Sequence, residues 1–339
     1  MAPPQGIFHV AIRRSRPRLP HRHASPRRLG QGEARQRHQG HRTGGERPSR
    51  RRADRPKGPQ ELAHRGQERF PMQSVFKLPL AVAVLQSIEA GKLRLDQEIR
   101  VKRNELALYW SPMKKGFTGE EQGYTVTDLL TRSTGASDNS TADVLMKRIG
   151  GPKVVTTMLS EGGIAGISVD RYEREFQPEI AGLPAFAWDE VIDDEAFEAA
   201  IAAMPKETRR VALERYIKGE VRDSTTPEAS IAFLEGLARG NWLREPAHDR
   251  LLTEILVKSP TDAQRVRAGL PTGATFAHKT GTGDTLDGIN SATNDIGIVA
   301  LPDGRRFAIA VYLAGAKVDA KGREAAHAAV AKLAVESLK

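Results

Sequence analysis

A single apolar run sets the first constraint on this chain. Phe76-Lys77-Leu78-Pro79-Leu80-Ala81-Val82-Ala83-Val84-Leu85 carries only one charged residue, Lys77. Its length and its lack of two-residue alternation read as a buried helix that opens at Ser74 and stops by Gly91, with Pro79 in the tolerated first turns. A helix apolar on every face has to be wrapped by the rest of the fold. The 339 residues leave ample sequence to do so, as one large domain or two modest ones.

Around this helix the pattern is helical first and extended later. Residues 124–134 and 140–149 read as helices separated by Gly135 and a Ser137-Asp138-Asn139 loop. Residues 188–217 read as two amphipathic stretches split at Met204-Pro205, and 227–239 and 245–258 as two more helices. Residues 275–280, 294–301 and 306–313 then read as strands, the last two joined by the turn Pro302-Asp303-Gly304, before a closing helix over 324–338. This order indicates an α+β fold, a helical lobe packed against an antiparallel β-sheet.

Composition excludes several classes. The chain has no cysteine, which rules out disulfides and thiolate-bound zinc. No run approaches the roughly 18 apolar residues of a membrane span. The formal charge of +10 sits in one place: residues 1–60 hold sixteen Lys and Arg against three acids, whereas residues 61–339 hold 36 against 39. That first stretch has only six Ile, Leu, Val or Phe residues, too few to offset the entropy of ordering it, so 1–60 reads as a disordered basic tail. A basic arm for nucleic acid or anionic lipid and a plain solvated tail both fit it. Its Arg, Pro, Gly and His bias, ending abruptly near Gln60-Glu61, favours a third reading, out-of-frame or mis-started sequence. No apolar core of a secretory signal is visible in it.

Three short motifs carry chemistry. In Ser74-Val75-Phe76-Lys77 the i and i+3 side chains share a helix face, so the Lys amine can reach and deprotonate the Ser hydroxyl. The pattern is weak alone, since Ser111-Pro112-Met113-Lys114 repeats it outside any buried helix. Ser137-Asp138-Asn139 suits an ordinary helix cap. Lys279-Thr280-Gly281-Thr282-Gly283 suits an ordinary strand end.

Taken together, S-x-x-K, S-D-N and K-T-G in this order and context resemble the penicillin-binding proteins and serine β-lactamases over residues 61–339. The segment Asp170-Arg171-Tyr172-Glu173-Arg174-Glu175 is similar to the start of the class A β-lactamase Ω-loop. The resemblance implies catalytic roles for Ser74 as nucleophile, Lys77, Ser137 and Glu173, the last as activator of the deacylating water. It implies substrate binding by Asn139, Lys279, Thr280, Gly281, Thr282, Arg265 and Gln177, with Tyr109 or Trp110 as an aromatic wall. Arg265 reads equally as a solvated surface residue, and Lys77 and Glu173 compete as acylation base.

Two departures stand out. Gln177 takes the place of the family's usual Asn, keeping the amide on a longer stem. The Asp that closes the Ω-loop against Arg171 matches Asp223, fifty positions after Glu173, so an Ω-loop insertion of about 177–222 is expected. The family also places a helix and two strands before the S-x-x-K helix, for which only about 62–70 remains as plausible sequence. The implied protein is a periplasmic or secreted monomer acting on β-lactams, with no cofactor, metal or nucleic-acid partner. The alternative is a penicillin-binding, DD-peptidase-like or sensor protein that acylates and deacylates slowly.

Overall fold

The computed structural model describes residues 7–15 and 61–338. Chain order begins with β1 (Ile7–Ser15), β2 (Glu61–His64), β3 (Phe70–Pro71) and α1 (Lys77–Glu89). An antiparallel pair, β4 (Glu98–Lys102) and β5 (Glu121–Thr125), leads into α2 (Val126–Leu130), α3 (Asn139–Arg148) and α4 (Pro152–Glu161). Next come α5 (Glu173–Ala181), α6 (Asp194–Ala203), α7 (Lys206–Lys218), β6 (Ser224–Thr225), α8 (Pro227–Ala238) and α9 (Pro246–Val257). The chain ends with β7 (Thr275–Thr282), the short β8 (Thr285–Leu286) and β9 (Ile289–Asn290), β10 (Thr293–Ala300), β11 (Arg306–Ala314) and α10 (Ala320–Ser337).

The main sheet is antiparallel, in the order β2-β1-β11-β10-β7. Strand β11 explains how it is buried on both sides. Phe307, Ile309, Val311 and Leu313 belong to one core cluster with residues of α10, while Ala308, Ala310, Tyr312 and Ala314 join the core of the helical lobe. The alternate small residues let the helices sit close to the strand. Helix α1 is buried from Lys77 through Leu85, as a helix without a polar face requires. The helical lobe against an antiparallel sheet is the expected α+β architecture.

The structure corrects the reading of the first sixty residues at one point. Ile7–Ser15 pairs along its length with β11 and through Val10–Arg13 with β2, so this segment is a sheet strand and not tail. Phe8, Val10 and Ile12 alternate, and with Ile7 they make up four of the six apolar residues counted in that stretch, a local signal masked by the composition around it. Together β1 and β2 are two strands ahead of the S-x-x-K turn, where the sequence reading expects none beyond about 62–70. The remaining reading of 1–60, as disordered or out-of-frame, lies outside the described residues.

Other elements shift modestly. The expected helix at 124–134 starts as the end of β5 and passes from α2 into a π-helical turn at Thr131–Gly135. The split at Met204-Pro205 is where α6 and α7 part, and residues 188–193 precede the helix, with Asp193 capping it. Helices α4 and α5 were not anticipated, and α10 begins at Ala320 behind an Asp319 cap.

Candidate active site

The S-x-x-K helix begins one turn tighter than expected. Gln73–Phe76 is a 3-10 turn that runs directly into α1, and Gln73 sits in the left-handed region at φ 47°. Such a conformation costs a non-glycine residue about 1–3 kcal/mol and persists only where surrounding contacts impose it. Those contacts are present. Asn294 Nδ2 donates to the carbonyls of Pro71 and Met72 at 2.8 and 3.1 Å, and Met72 N–H donates to the Asp223 carbonyl at 3.1 Å. Gln73 Nε2 donates to Tyr216 Oη of α7 at 2.9 Å. Gly281 of β7 lies so near that an added Cβ would stand 2.4 Å from the Met72 carbonyl, so only glycine allows this strand to approach.

Lys77 Nζ, fully buried, donates to Ser74 Oγ at 3.1 Å, the Ser137 carbonyl at 2.8 Å and Asn139 Oδ1 at 2.5 Å. It also pairs with Glu173 Oε1 at 3.1 Å, and Gln177 Nε2 donates to Glu173 Oε2 at 2.7 Å. Glu173 opens α5, one turn before Gln177 on the same helix face. Its position is set from below by Asp143 of α3, whose two oxygens accept the N–H groups of Glu173 and Arg174 at 2.7 and 3.0 Å. Burial, and then the charge on Glu173, push Asp143 up to about 8.

The S-D-N segment serves as a helix cap and as a site element at once. Asp138 caps α3 through Thr141 N–H and also accepts from Ser111 Oγ and Met113 N–H. This backing holds Ser137 at φ 63°, and Lys279 Nζ donates to Ser137 Oγ at 3.0 Å. Burial, and then the neighbouring Lys77, bring the Lys279 ammonium down to about 7. The second S-x-x-K has a structural part only: Ser111 bonds Asp138 and Ser140, and Lys114 pairs with Asp194 of α6 at 2.6 Å.

On the sheet side, Thr280 Oγ1 donates to Thr261 Oγ1 at 3.1 Å, and Arg265 donates to Thr282 Oγ1 at 2.7 Å. Arg265 is buried, held by Asp262 at 3.2 Å and by the Asn294 carbonyl at 2.9 Å, so it is not a solvated surface residue. Tyr109 and Trp110 both line the cleft, and Trp110 Nε1 donates to the Ala136 carbonyl at 2.8 Å. Apart from Ser111 and Lys114, the residues singled out in the sequence therefore gather around Ser74 and its cleft. Sequence reading missed Asp143, Thr261 and Tyr216. Asp143 carries a signal, an acid four residues after Asn139 in an otherwise buried helix, whereas the other two reach the site only through tertiary approach.

The segment from Arg171 to Asp223 closes on itself. Arg171 Nε donates to Asp223 Oδ2 at 2.6 Å, and Asp223 Oδ1 accepts from the N–H groups of Asp170 and Arg171. Burial opposes the Arg171 charge, but Asp223 and Glu179 outweigh it and hold its pKa above the usual value. Helices α6 and α7 lie within this segment and form part of the wall of a cavity of about 470 Å³ that also contains Ser74, Asn139 and Gln177. Phe197, Ile192 and Leu108 form a small separate core that fixes α6 to the lobe. Among the described residues, no group of three His, Asp or Glu is arranged to hold a metal ion, and no helix is long and apolar enough to cross a membrane.

Comparison with known proteins agrees with this arrangement. The family described as "Beta-lactamase enzyme family" matches residues 52–338. The extended-spectrum β-lactamase PER-1 of Pseudomonas aeruginosa is 31% identical over 270 residues, covering 79% of this chain and 75% of that protein. The carbapenem-hydrolysing β-lactamase KPC of Klebsiella oxytoca is 30% identical, covering 82% and 79%. The solved structure of an ancestral (GNCA) class A β-lactamase superposes with a TM-score of 0.64 at 34% identity, covering 82% of this chain and 89% of that one. With its site geometry and these relatives, the chain belongs to the β-lactamase enzyme family, in class A.

Proposed function

We propose that this protein hydrolyses the β-lactam amide bond through an acyl-enzyme on Ser74 and thereby confers β-lactam resistance. The observation that carries the reading is the buried Lys77 amine, 3.1 Å from both Ser74 Oγ and the Glu173 carboxylate. Ser74 Oγ attacks the lactam carbonyl and gives up its proton to Lys77, after Lys77 has passed one of its own to Glu173, or, through water, to Glu173 directly. The N–H groups of Ser74 and Thr282 stabilise the oxyanion, a contribution of about 3 kcal/mol per donor in comparable sites. Ser137, beside Lys279, hands a proton to the departing nitrogen as the C–N bond breaks. Asn139 holds the acyl side-chain amide, and Lys279, Thr280, Gly281, Thr282 and Arg265 receive the ring carboxylate. Glu173, oriented by Gln177, then takes a proton from the water that attacks the ester and frees Ser74.

The same reading takes 61–339 as the catalytic domain, completed by the 7–15 strand, with an Ω-loop insertion of about 177–222. It places the protein outside the cytoplasm, periplasmic or secreted, as a monomer with no nucleic-acid partner and no cofactor. The test is intact mass after benzylpenicillin. The native protein should return to its own mass, and Glu173→Gln should retain one penicilloyl adduct on Ser74. A Glu173→Gln protein that turns over like the native one would remove Glu173 from deacylation.

A further inference from the structure

Helix α7 presents two adjacent arginines with opposite fates. Arg210 faces outward and is neutralised by Glu207 at 2.5 Å and Glu214 at 2.6 Å. Arg209 lies about 100° around the helix from it, in the cavity wall with Leu213 and Tyr216 at i+4 and i+7. Its Nε is buried with no hydrogen-bond partner, and among the described residues no carboxylate stands at ion-pair distance from its guanidinium. A half-buried cation without a counter-ion is costly to maintain, and a cavity that opens onto the nucleophile makes an anionic ligand the natural partner.

The position of Arg209 separates it from the anion-binding groups of the sheet. Lys279 is engaged by Ser137, and Arg265 by Asp262 and Thr282, on the β7 side of the cleft. Arg209 stands on the α7 side, in a wall that also includes Ile180 and Ala181 of α5, one turn beyond Gln177. A β-lactam with its ring carboxylate at β7 and its side-chain amide at Asn139 directs its acyl substituent toward this other wall. Two carboxylates share the cavity. Glu198 of α6 and Asp284 are both exposed, and partial desolvation raises the pKa of Asp284, which a hydrogen bond with Tyr109 partly offsets.

We propose that Arg209 forms a second anion-receiving subsite, so that the enzyme favours β-lactams whose acyl side chain carries a carboxylate over those whose side chain is neutral. This rests on the β-lactamase reading above. Carbenicillin and benzylpenicillin differ by one side-chain carboxylate, and the readout is the ratio of their kcat/KM values. Arg209→Gln should lower the carbenicillin-to-benzylpenicillin ratio about fivefold, as expected for one partly exposed charge-assisted contact. Arg209→Lys should restore much of it, and Glu198→Gln, which removes an opposing charge, should raise it. General damage to the fold slows both substrates together and leaves the ratio in place, so melting temperatures are measured alongside. A ratio unmoved in a folded Arg209→Gln enzyme, or in Glu198→Gln, overturns the subsite alone. A native protein that neither hydrolyses these penicillins nor forms a Ser74 adduct overturns the function reading instead.

Discussion

Glu173 is engaged at both oxygens, by Lys77 at 3.1 Å and by Gln177 at 2.7 Å. A hydrolytic water has to share this carboxylate with two protein donors. Gln177→Asn withdraws the amide by one methylene and leaves Oε2 freer to accept from water. Where deacylation limits turnover, this should raise kcat about threefold, a change below 1 kcal/mol in the barrier; a lower kcat would mean that the longer amide is needed. Lys279 sets a pH limit. Its pKa of about 7 means that it is charged below that pH and neutral above it. The kcat/KM for a carboxylate-bearing β-lactam should therefore fall as pH rises through about 7, since the free enzyme loses a positive charge that the carboxylate needs. Lys279→Arg, which stays protonated, should flatten that limb. An unchanged alkaline limb in this variant would assign it to another group.

At the scale of elements, the segment from Arg171 to Asp223 does two jobs. The Arg171–Asp223 pair is buried at both partners and closes the segment, while α7 reaches across to Gln73 beside Ser74, the proposed nucleophile. Asp223→Ala leaves Arg171 buried with a lost partner, at a cost of about 3 kcal/mol. Thermal unfolding should register this as a drop of roughly 8 °C, with slower deacylation, and a midpoint within 1–2 °C of the native one would count against a closing role. Tyr216→Phe removes only the hydroxyl that accepts from Gln73. It should reduce kcat more than it alters KM, because it acts on the turn that aims Ser74; an effect confined to KM would place Tyr216 in substrate binding.

How much of this was legible in the sequence follows from distance along the chain. Ser74 and Lys77, like Glu173 and Gln177, lie one helical turn apart, but it took the set of motifs and the family resemblance, not spacing alone, to single them out. The Arg171–Asp223 closure was also anticipated, because the resemblance to the class A Ω-loop implies an Asp that pairs with this Arg. Tyr216 and Thr261 were invisible because nothing near them in sequence signals that their elements fold back onto β7 and the nucleophile turn. Helix α5 was missed because it is short and contains Pro178, which reads as a helix breaker.

At the scale of the molecule, the sheet depends on residues that composition had assigned to a tail. Strand β1 lies between β2 and β11, so both its edges are paired. A proline there removes a ladder hydrogen bond inside the sheet. Ala11→Pro should lower stability by about 2 kcal/mol or more, read as an earlier thermal transition; an unchanged transition would show that the sheet does not rely on this strand. Average composition concealed β1 because the alternating Phe8, Val10 and Ile12 were outweighed by the arginine- and proline-rich sequence that follows.

Chromogenic cephalosporin turnover by the native protein tests the central claim most directly. With nitrocefin in large excess, the hydrolysis of many equivalents at a steady rate, leaving no lasting adduct on Ser74, is the expected result. A single burst equal to the enzyme concentration, followed by a stable acyl-protein, would contradict it and identify a protein that captures β-lactams without releasing them.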